Sequence, residues 1–277
     1  MIRPIAFLIG LFFSGWLLVS FVFGAAEYIK NPPQETVEHK FHQKPEKIHL
    51  ASDGFMGKFD RQQLQRGFQV YKEVCAACHS MDFIAFRNLE ALGYNEAEVK
   101  AIAKNWAIET PSIDPNTGEP ASRPSLPADY FPSPFANEVA ARAANNNSLP
   151  PDLSLMTKAR PDGSNYVYSL LTGYQAPPAD LPEENKPGTG LHYNPYFPNL
   201  NLAMAPPLTG EGQVDYADGT KATVEQMATD VSAFLVWTAE PKLENRHQTG
   251  LAVLLFLLIA TILAYLSYRN IWADKKH

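Results

Sequence analysis

The run TGLAVLLFLLIATILAYLSY, Thr249 to Tyr268, holds no charged residue and no mid-span helix breaker. A stretch of that length and apolarity spans a bilayer as a helix, which divides the chain into compartments before any other feature is considered. Arg246 and His247 precede it, and Arg269, Lys275 and Lys276 follow in the tail RNIWADKKH. The positive-inside tendency puts that tail in the cytoplasm and the body outside it. The N-terminus agrees: Arg3 precedes the uncharged stretch Ile5 to Ala26, which ends on the small residues Gly24 and Ala26 as an export signal does. The apolar stretch exceeds the roughly 7–15 residues of a signal core, so a cleaved signal and a retained anchor both stand. Three regions result: 1–26 as export signal or N-terminal anchor, 27–245 as extracytoplasmic body, and 246–277 as transmembrane helix with cytoplasmic tail.

With 45% hydrophobic and 12% aromatic residues, the body can fill a core. The net charge of −6 excludes nucleic acid as a partner class, since its binders carry a basic face. It suits a basic protein partner, and equally an ordinary solvated surface. Proline (23) outnumbers glycine (16), which favours long ordered loops over flexible linkers.

Residues 27–59 are polar and punctuated by proline, an extended lead-in. Asp60 then N-caps a helix, with Gln63 completing a near capping box, and Leu64, Phe68, Tyr71 and Cys75 share one face. At the far end of the body Thr223 and Gln226 form a second capping-box pair. Val224, Met227, Ala228, Val231, Phe234 and Leu235 form an apolar stripe that Pro241 ends. Two such stripes are most simply buried against each other. Between them EAEVKAIAKNWAIE and NEVAARAANN read as helices, YVYSLLTGY as helix or strand, and the rest as proline-rich loop without strand alternation or internal repeat.

The only cysteines, Cys75 and Cys78, sit in VCAACHS with His79 directly after. A disulfide between them would close a tiny loop and constrain little. Structural zinc requires four ligands. A thioredoxin-type dithiol follows a strand, whereas a helix leads in here. The remaining reading is C-x-x-C-H, the attachment pattern for one covalently bound haem c: two thioethers from Cys75 and Cys78, and His79 as proximal ligand. A methionine on the other face would complete the iron coordination and raise the potential. Met81 is too near its own tether, Met227 lies on the apolar stripe, and Met156 suits packing at least as well as ligation. Met204, in NLNLAMAPPLTG, occupies a loop stiffened by Pro206 and Pro207 before the closing helix, and is favoured. His192 is the alternative.

With ARAANNNSLPPDLSL, YVYSLLTGY, NPYFPNLNLAMAPPL and the C-terminal anchor in that order, the chain resembles the cytochrome c1 family, the haem subunits of ubiquinol–cytochrome c reductase, from about residue 50 to the end. The resemblance implies a mainly α fold: a class I cytochrome c core enlarged by long loop insertions, plus the C-terminal transmembrane helix. It implies Cys75, Cys78, His79 and Met204 as haem positions, His79 and Met204 being the iron ligands. It further implies that Arg123 pairs with a haem propionate, with Tyr130 nearby. The implied activity is transfer of single electrons from the Rieske iron–sulfur protein to a cytochrome c. The chain would be anchored beside cytochrome b in a dimeric complex of the bacterial inner membrane, with the haem domain periplasmic. A standalone membrane-anchored carrier or a haem sensor is the competing class. Asp180, Glu183 and Glu184 offer an acidic docking surface for a basic cytochrome c. Some bacterial members staple a loop of the insert with an additional cysteine pair, which this chain lacks, and Asn145–Asn147 stand where relatives often carry glycine.

Overall fold

The computed structural model describes residues 2–32 and 34–275; Met1, Pro33, and Lys276 and His277 at the end of the basic tail lie outside the described residues. The chain divides into two units, residues 1–41 and 42–277. In the first, α1 (Ile2–Lys30) is one continuous apolar helix and α2 (Val37–Phe41) a single short one. Helix α1 thus runs into the segment expected to be extended. Ala25, Ala26 and Glu27 are good helix formers, and Asn31 closes the end by donating to the Glu27 carboxylate at 2.7 Å.

The second unit is organised by a crossing of α3 (Arg61–Val70) with α8 (Val224–Ala239). Asp60 N-caps α3, accepting from the Gln62 and Gln63 amides at 3.0 and 3.3 Å, and Thr223 caps α8 through the Gln226 amide at 3.1 Å. Neither glutamine side chain turns back to its cap. Gln63 Nε2 and Gln226 Nε2 both donate to Asp230, at 3.2 and 2.9 Å. Asp230 is fully buried, and a buried carboxylate has a greater need of donors than an exposed helix end does. Arg66 completes its shell, from Nε at 2.9 Å and Nη2 at 3.3 Å. The two helices approach this closely because position 67 is glycine: a β-carbon there would meet the Asp230 carbonyl oxygen and lie 2.7 Å from Phe234 Cβ.

Past Val70, α3 widens into one π turn, Tyr71–Cys75, in which the Ala76 amide bonds back to Tyr71 O at 2.8 Å. Its inner face joins an aromatic core. Phe86 and Trp106 lie 4.6 and 4.9 Å from Phe131, and Phe68 and Tyr71 each lie 5.7 Å from Phe234. The expected helices α4 (Glu96–Lys104) and α5 (Glu138–Ala144) form, with Asn95 and Glu98 in a reciprocal capping box before α4. Helices α6 (Met156–Ala159) and α7 (Gly163–Thr172) pack on α8; YVYSLLTGY is thus helical as far as Thr172 and leaves the helix at Gly173. Asn146 and Asn147 take φ of 50° and 61°, left-handed values that asparagine tolerates better than other residues with a β-carbon.

Two small antiparallel ladders lie in segments whose sequence shows no strand alternation. One pairs β1 (Thr110–Ile113) with β2 (Pro120–Arg123), in register Thr110 to Arg123; the other pairs β3 (His192–Tyr193) with β4 (Asn201–Leu202). Each strand is too short for a period of two to register. Pro241 separates α8 from α9 (Leu243–Trp272), a continuous helix long and apolar enough to cross a membrane.

Candidate functional site

The π turn delivers Cys75 to a sharp reversal, where its carbonyl accepts from both the Cys78 amide (3.1 Å) and the His79 amide (3.0 Å). The two thiols and the imidazole therefore leave one compact turn. Both cysteines are free. Burial, with Cys78 beside it, pushes the Cys75 thiol up to about 12. A reactive or redox thiol has the opposite shift, so the dithiol reading loses its chemistry.

His79 is oriented from outside the turn. Its Nδ1 lies 2.8 Å from the Pro151 carbonyl, which only accepts, so Nδ1 carries the proton and Nε2 keeps its lone pair. Burial lowers the pKa of the ring, which favours the neutral form that a ligand requires. The segment carrying Pro151 is laced to the turn at several points. Asp152 accepts from Ser80 Oγ at 2.9 Å and the Asp82 amide at 2.8 Å, the Leu153 amide donates to Ser80 O at 3.0 Å, and Ser154 Oγ accepts from the Phe83 amide at 3.2 Å. In sequence this segment carries part of the family resemblance but no sign of this role. A proline–aspartate–serine cluster is a turn signal, and nothing local reveals which distant backbone it will hold.

A second segment joins from residues 123–131. The Phe86 and Phe131 amides donate to Asp129 O and Ile84 O, each at 3.0 Å, and Tyr130 bridges Ala85. Arg123 and Tyr130 thus stand on a strip paired with the chain just past the two-cysteine turn. The Arg123 fork is engaged by Asp129, Nη1 at 2.6 Å and Nη2 at 2.9 Å, and Nη1 also reaches Pro124 O at 3.1 Å. That pairing raises the Arg123 pKa and lowers that of Asp129. Tyr130 points its ring outward and is half exposed.

The methionines separate by burial. Met81, Met156 and Met227 belong to the hydrophobic core, whereas Met204 is half-buried in the loop after β4. Tyr174, just beyond α7, donates its hydroxyl to Met204 O at 3.0 Å. The same ring makes an edge contact with His192, centroids 6.5 Å apart. His192 is itself fixed in the β3–β4 ladder opposite Leu202, so the favoured methionine and its alternative flank one tyrosine. Of the acidic docking residues, Glu183 pairs with Lys186 at 2.7 Å, while Asp180 and Glu184 are exposed.

Among the described residues no group of three or more His, Cys, Asp or Glu is placed to hold a metal ion. Two unpaired thiols with two residues between them and an imidazole of fixed tautomer fit haem instead: the thiols can tether the porphyrin edge and the ring can face its iron.

Comparison with known proteins extends the agreement beyond the site. The Cytochrome C1 family matches residues 50–275. Cytochrome c1 of Rhodospirillum rubrum is 46% identical over 236 residues, covering 81% of this chain and 86% of its own. The mitochondrial cytochrome b-c1 complex catalytic subunit of Candida albicans is 45% identical over 243 residues, covering 87% and 81%. A longer protein of Bradyrhizobium diazoefficiens, cytochrome b/c1, is 46% identical over 239 residues, 80% of this chain but 34% of that one. With family and relatives both matched across most of its length, the chain belongs to the Cytochrome C1 family.

Proposed function

We propose that this chain carries single electrons from a Rieske iron–sulfur protein to a cytochrome c, as the haem subunit of a ubiquinol–cytochrome c reductase. It does so through one haem c tethered by Cys75 and Cys78 and ligated by His79 and Met204. The observation that carries the reading is the hydrogen bond from His79 Nδ1 to Pro151 O: it leaves Nε2 available beside two free thiols. Haem held there supplies a one-electron couple. The work of the chain is to hold the imidazole in one tautomer and to present Met204 from a loop fixed by Tyr174; with His79 and Met204 both holding it, the iron would offer oxygen no open position. Three of the four methionines after the attachment turn are consumed by the core, which supports Met204 as the remaining thioether donor.

Arg123 would hold a haem propionate with the part of its guanidinium that Asp129 leaves free, with Tyr130 as its neighbour in the same strip. The relatives' names, cytochrome b/c1 and cytochrome b-c1 complex catalytic subunit, support a place beside cytochrome b; that the complex is dimeric is what the family resemblance implies. By resemblance to the bacterial relatives, α9 anchors the chain in the inner membrane, with the haem domain periplasmic and the C-terminus cytoplasmic. Asp180 and Glu184 are free to meet a basic cytochrome c.

The test is haem staining of the purified chain on a denaturing gel, with carbon monoxide titration of the reduced protein. Colour should persist in the wild type, be lost when Cys75 and Cys78 are both replaced by serine, and carbon monoxide should bind only in Met204→Leu. Rapid carbon monoxide binding by the wild type would instead indicate a haem sensor with an open position. Purification without a cytochrome b would leave the standalone carrier.

A further inference from the structure

Beside the base of α9 lies a tight loop, Ala51 to Lys58, that the electron-carrying role does not use. The Lys58 amide closes it onto Ala51 O at 2.9 Å, the Asp53 amide turns back to Leu50 O at 3.0 Å, and Asp53 Oδ2 accepts from the Leu50 amide at 2.9 Å. Gly54 takes φ +80°, and at Gly57 a β-carbon would collide with the carbonyls of Ser52 and Asp53. The loop is therefore rigid, and at its tip stand Phe55 and Met56, 62% and 58% exposed. Two adjacent large apolar side chains held in water by a built loop require an apolar surrounding.

The position of α9 identifies that surrounding. Glu244, in its first turn, accepts from the Phe59 amide at 2.8 Å and from Arg61 Nη1 and Nη2 at 3.2 and 3.0 Å. His247 Nδ1 lies 3.3 Å from Gly57 O, and its ring stacks on Phe55 with centroids 6.3 Å apart and planes 17° apart. The loop is thus fixed to the helix at a known height. Thr249 to Tyr268 rises about 30 Å, the thickness of the hydrocarbon layer, so one boundary of that layer falls near Thr249. His247 is then about 3 Å outside it, and the headgroup zone extends roughly 5–8 Å beyond the hydrocarbon.

We propose that Phe55 and Met56 insert into the headgroup–acyl boundary of the phospholipid bilayer as a second, interfacial membrane contact of the extracytoplasmic domain. A pair of side chains at that depth, locked to α9, fixes the tilt of the domain over the membrane as a single helix cannot. The inference rests on α9 crossing the bilayer and not on the redox role.

The experiment takes the full chain, purified with whatever subunits it retains, into nanodiscs of phosphatidylcholine and phosphatidylglycerol. A nitroxide is placed on Met56→Cys, on Leu257→Cys as a mid-span reference, and on Val139→Cys as a water reference, with background from the unsubstituted protein subtracted. Collision with oxygen and with a water-soluble nickel chelate is measured for each. The Met56→Cys label should fall between the two references and favour oxygen. Nickel accessibility equal to that at Val139→Cys overturns the proposal. So does protection from both agents, which would mean that protein covers the tip. If the Leu257→Cys label does not favour oxygen, the spanning helix itself fails. Phe55→Cys provides a second labelled position should Met56→Cys not fold.

Discussion

The crossing of α3 with α8, which leads into the two-cysteine turn, and the loops around Met204 are held by opposite means. At the crossing, a glycine brings two backbones into contact, and one buried carboxylate gathers donors from three side chains, Gln63, Arg66 and Gln226. In the region from Tyr174 to Gln213, outside the short β3–β4 ladder, segments are held largely by local bonds from side chain to backbone: Tyr174 to Met204 O, Asn201 Nδ2 to Asn185 O, and Gln213 Nε2 to Pro207 O, at 2.8–3.0 Å. The first design is cooperative and fails as a unit. The second gives each loop its own fastening, so a single loss moves one ligand without melting the fold. Substitutions at the crossing should therefore act on stability, and substitutions in the loops on the site.

The largest effect is expected at Asp230→Ala. It leaves the Arg66 guanidinium with Asp218 as its remaining carboxylate, 2.7 Å from Nη1, and removes the shared acceptor of two half-buried glutamines. Breaking a buried pair from one side costs about 3–5 kcal/mol, and the surviving Asp218 contact places this case near the lower figure. Denaturant unfolding measures it, and a loss below about 1 kcal/mol would show the network to be dispensable. Gly67→Ala should follow, at about 2 kcal/mol from overpacking against the Asp230 carbonyl and Phe234. Its control lies in the other region: Gly210, with open space around a β-carbon, should accept alanine with no loss.

The contrast also explains what was legible in the sequence. Asp60, Thr223 and the apolar stripe of α8 announced the crossing, because caps and helical periodicity are local signals. Gly67 and Asp230 were silent: a glycine and an aspartate inside helices look like mild propensity defects until the partner helix is in place. Gln63 and Gln226 have capping-box spacing, yet both serve Asp230. The site divides the same way. Cys75, Cys78 and His79 form a local motif, and Met204 stands out by its proline-stiffened loop. By contrast, Pro151, which sets the tautomer of His79, and Tyr174, which holds the Met204 backbone, act across long chain separations that no local pattern encodes. The Asp129 partner of Arg123, six residues away, has no signature of its own in the sequence, because Asp129 doubles as a turn residue that accepts from the Leu126 amide at 2.7 Å.

On the loop side the sharpest probe is Tyr174→Phe. It deletes one hydroxyl donor, a loss of about 1 kcal/mol in stability, and leaves the ring and its edge contact with His192. If the loops act independently, unfolding should lose no more than about 1 kcal/mol while the proposed Met204 ligand becomes labile. The readout is a carbon monoxide-binding fraction that rises with temperature in the reduced protein. Equal losses in both measurements would make the loop part of the same cooperative unit as the crossing.

The smallest effect tests where the two regions touch. Asp218 lies between them: its carboxylate accepts from the Thr220 amide at 3.0 Å and pairs with Arg66 of the crossing. The backbone bond first and the Arg66 pairing second lower its pKa to about 2 in the folded chain, against about 3.9 for a free aspartate. A depressed folded value means that the charged form is the stabilising one. The contribution is fully present above about pH 4 and is lost as pH falls towards 2. Because Asp218 is open to solvent, screening keeps that contribution small. The melting temperature of wild type relative to Asp218→Asn should therefore show a modest excess at pH 7 that disappears by about pH 2, and added salt should shrink it. An excess that grows on acidification would place the carboxylate in an unfavourable field and reverse the assignment. An excess indifferent to salt would mean that the Thr220 bond, not Arg66, supplies it, leaving the crossing to Asp230 alone.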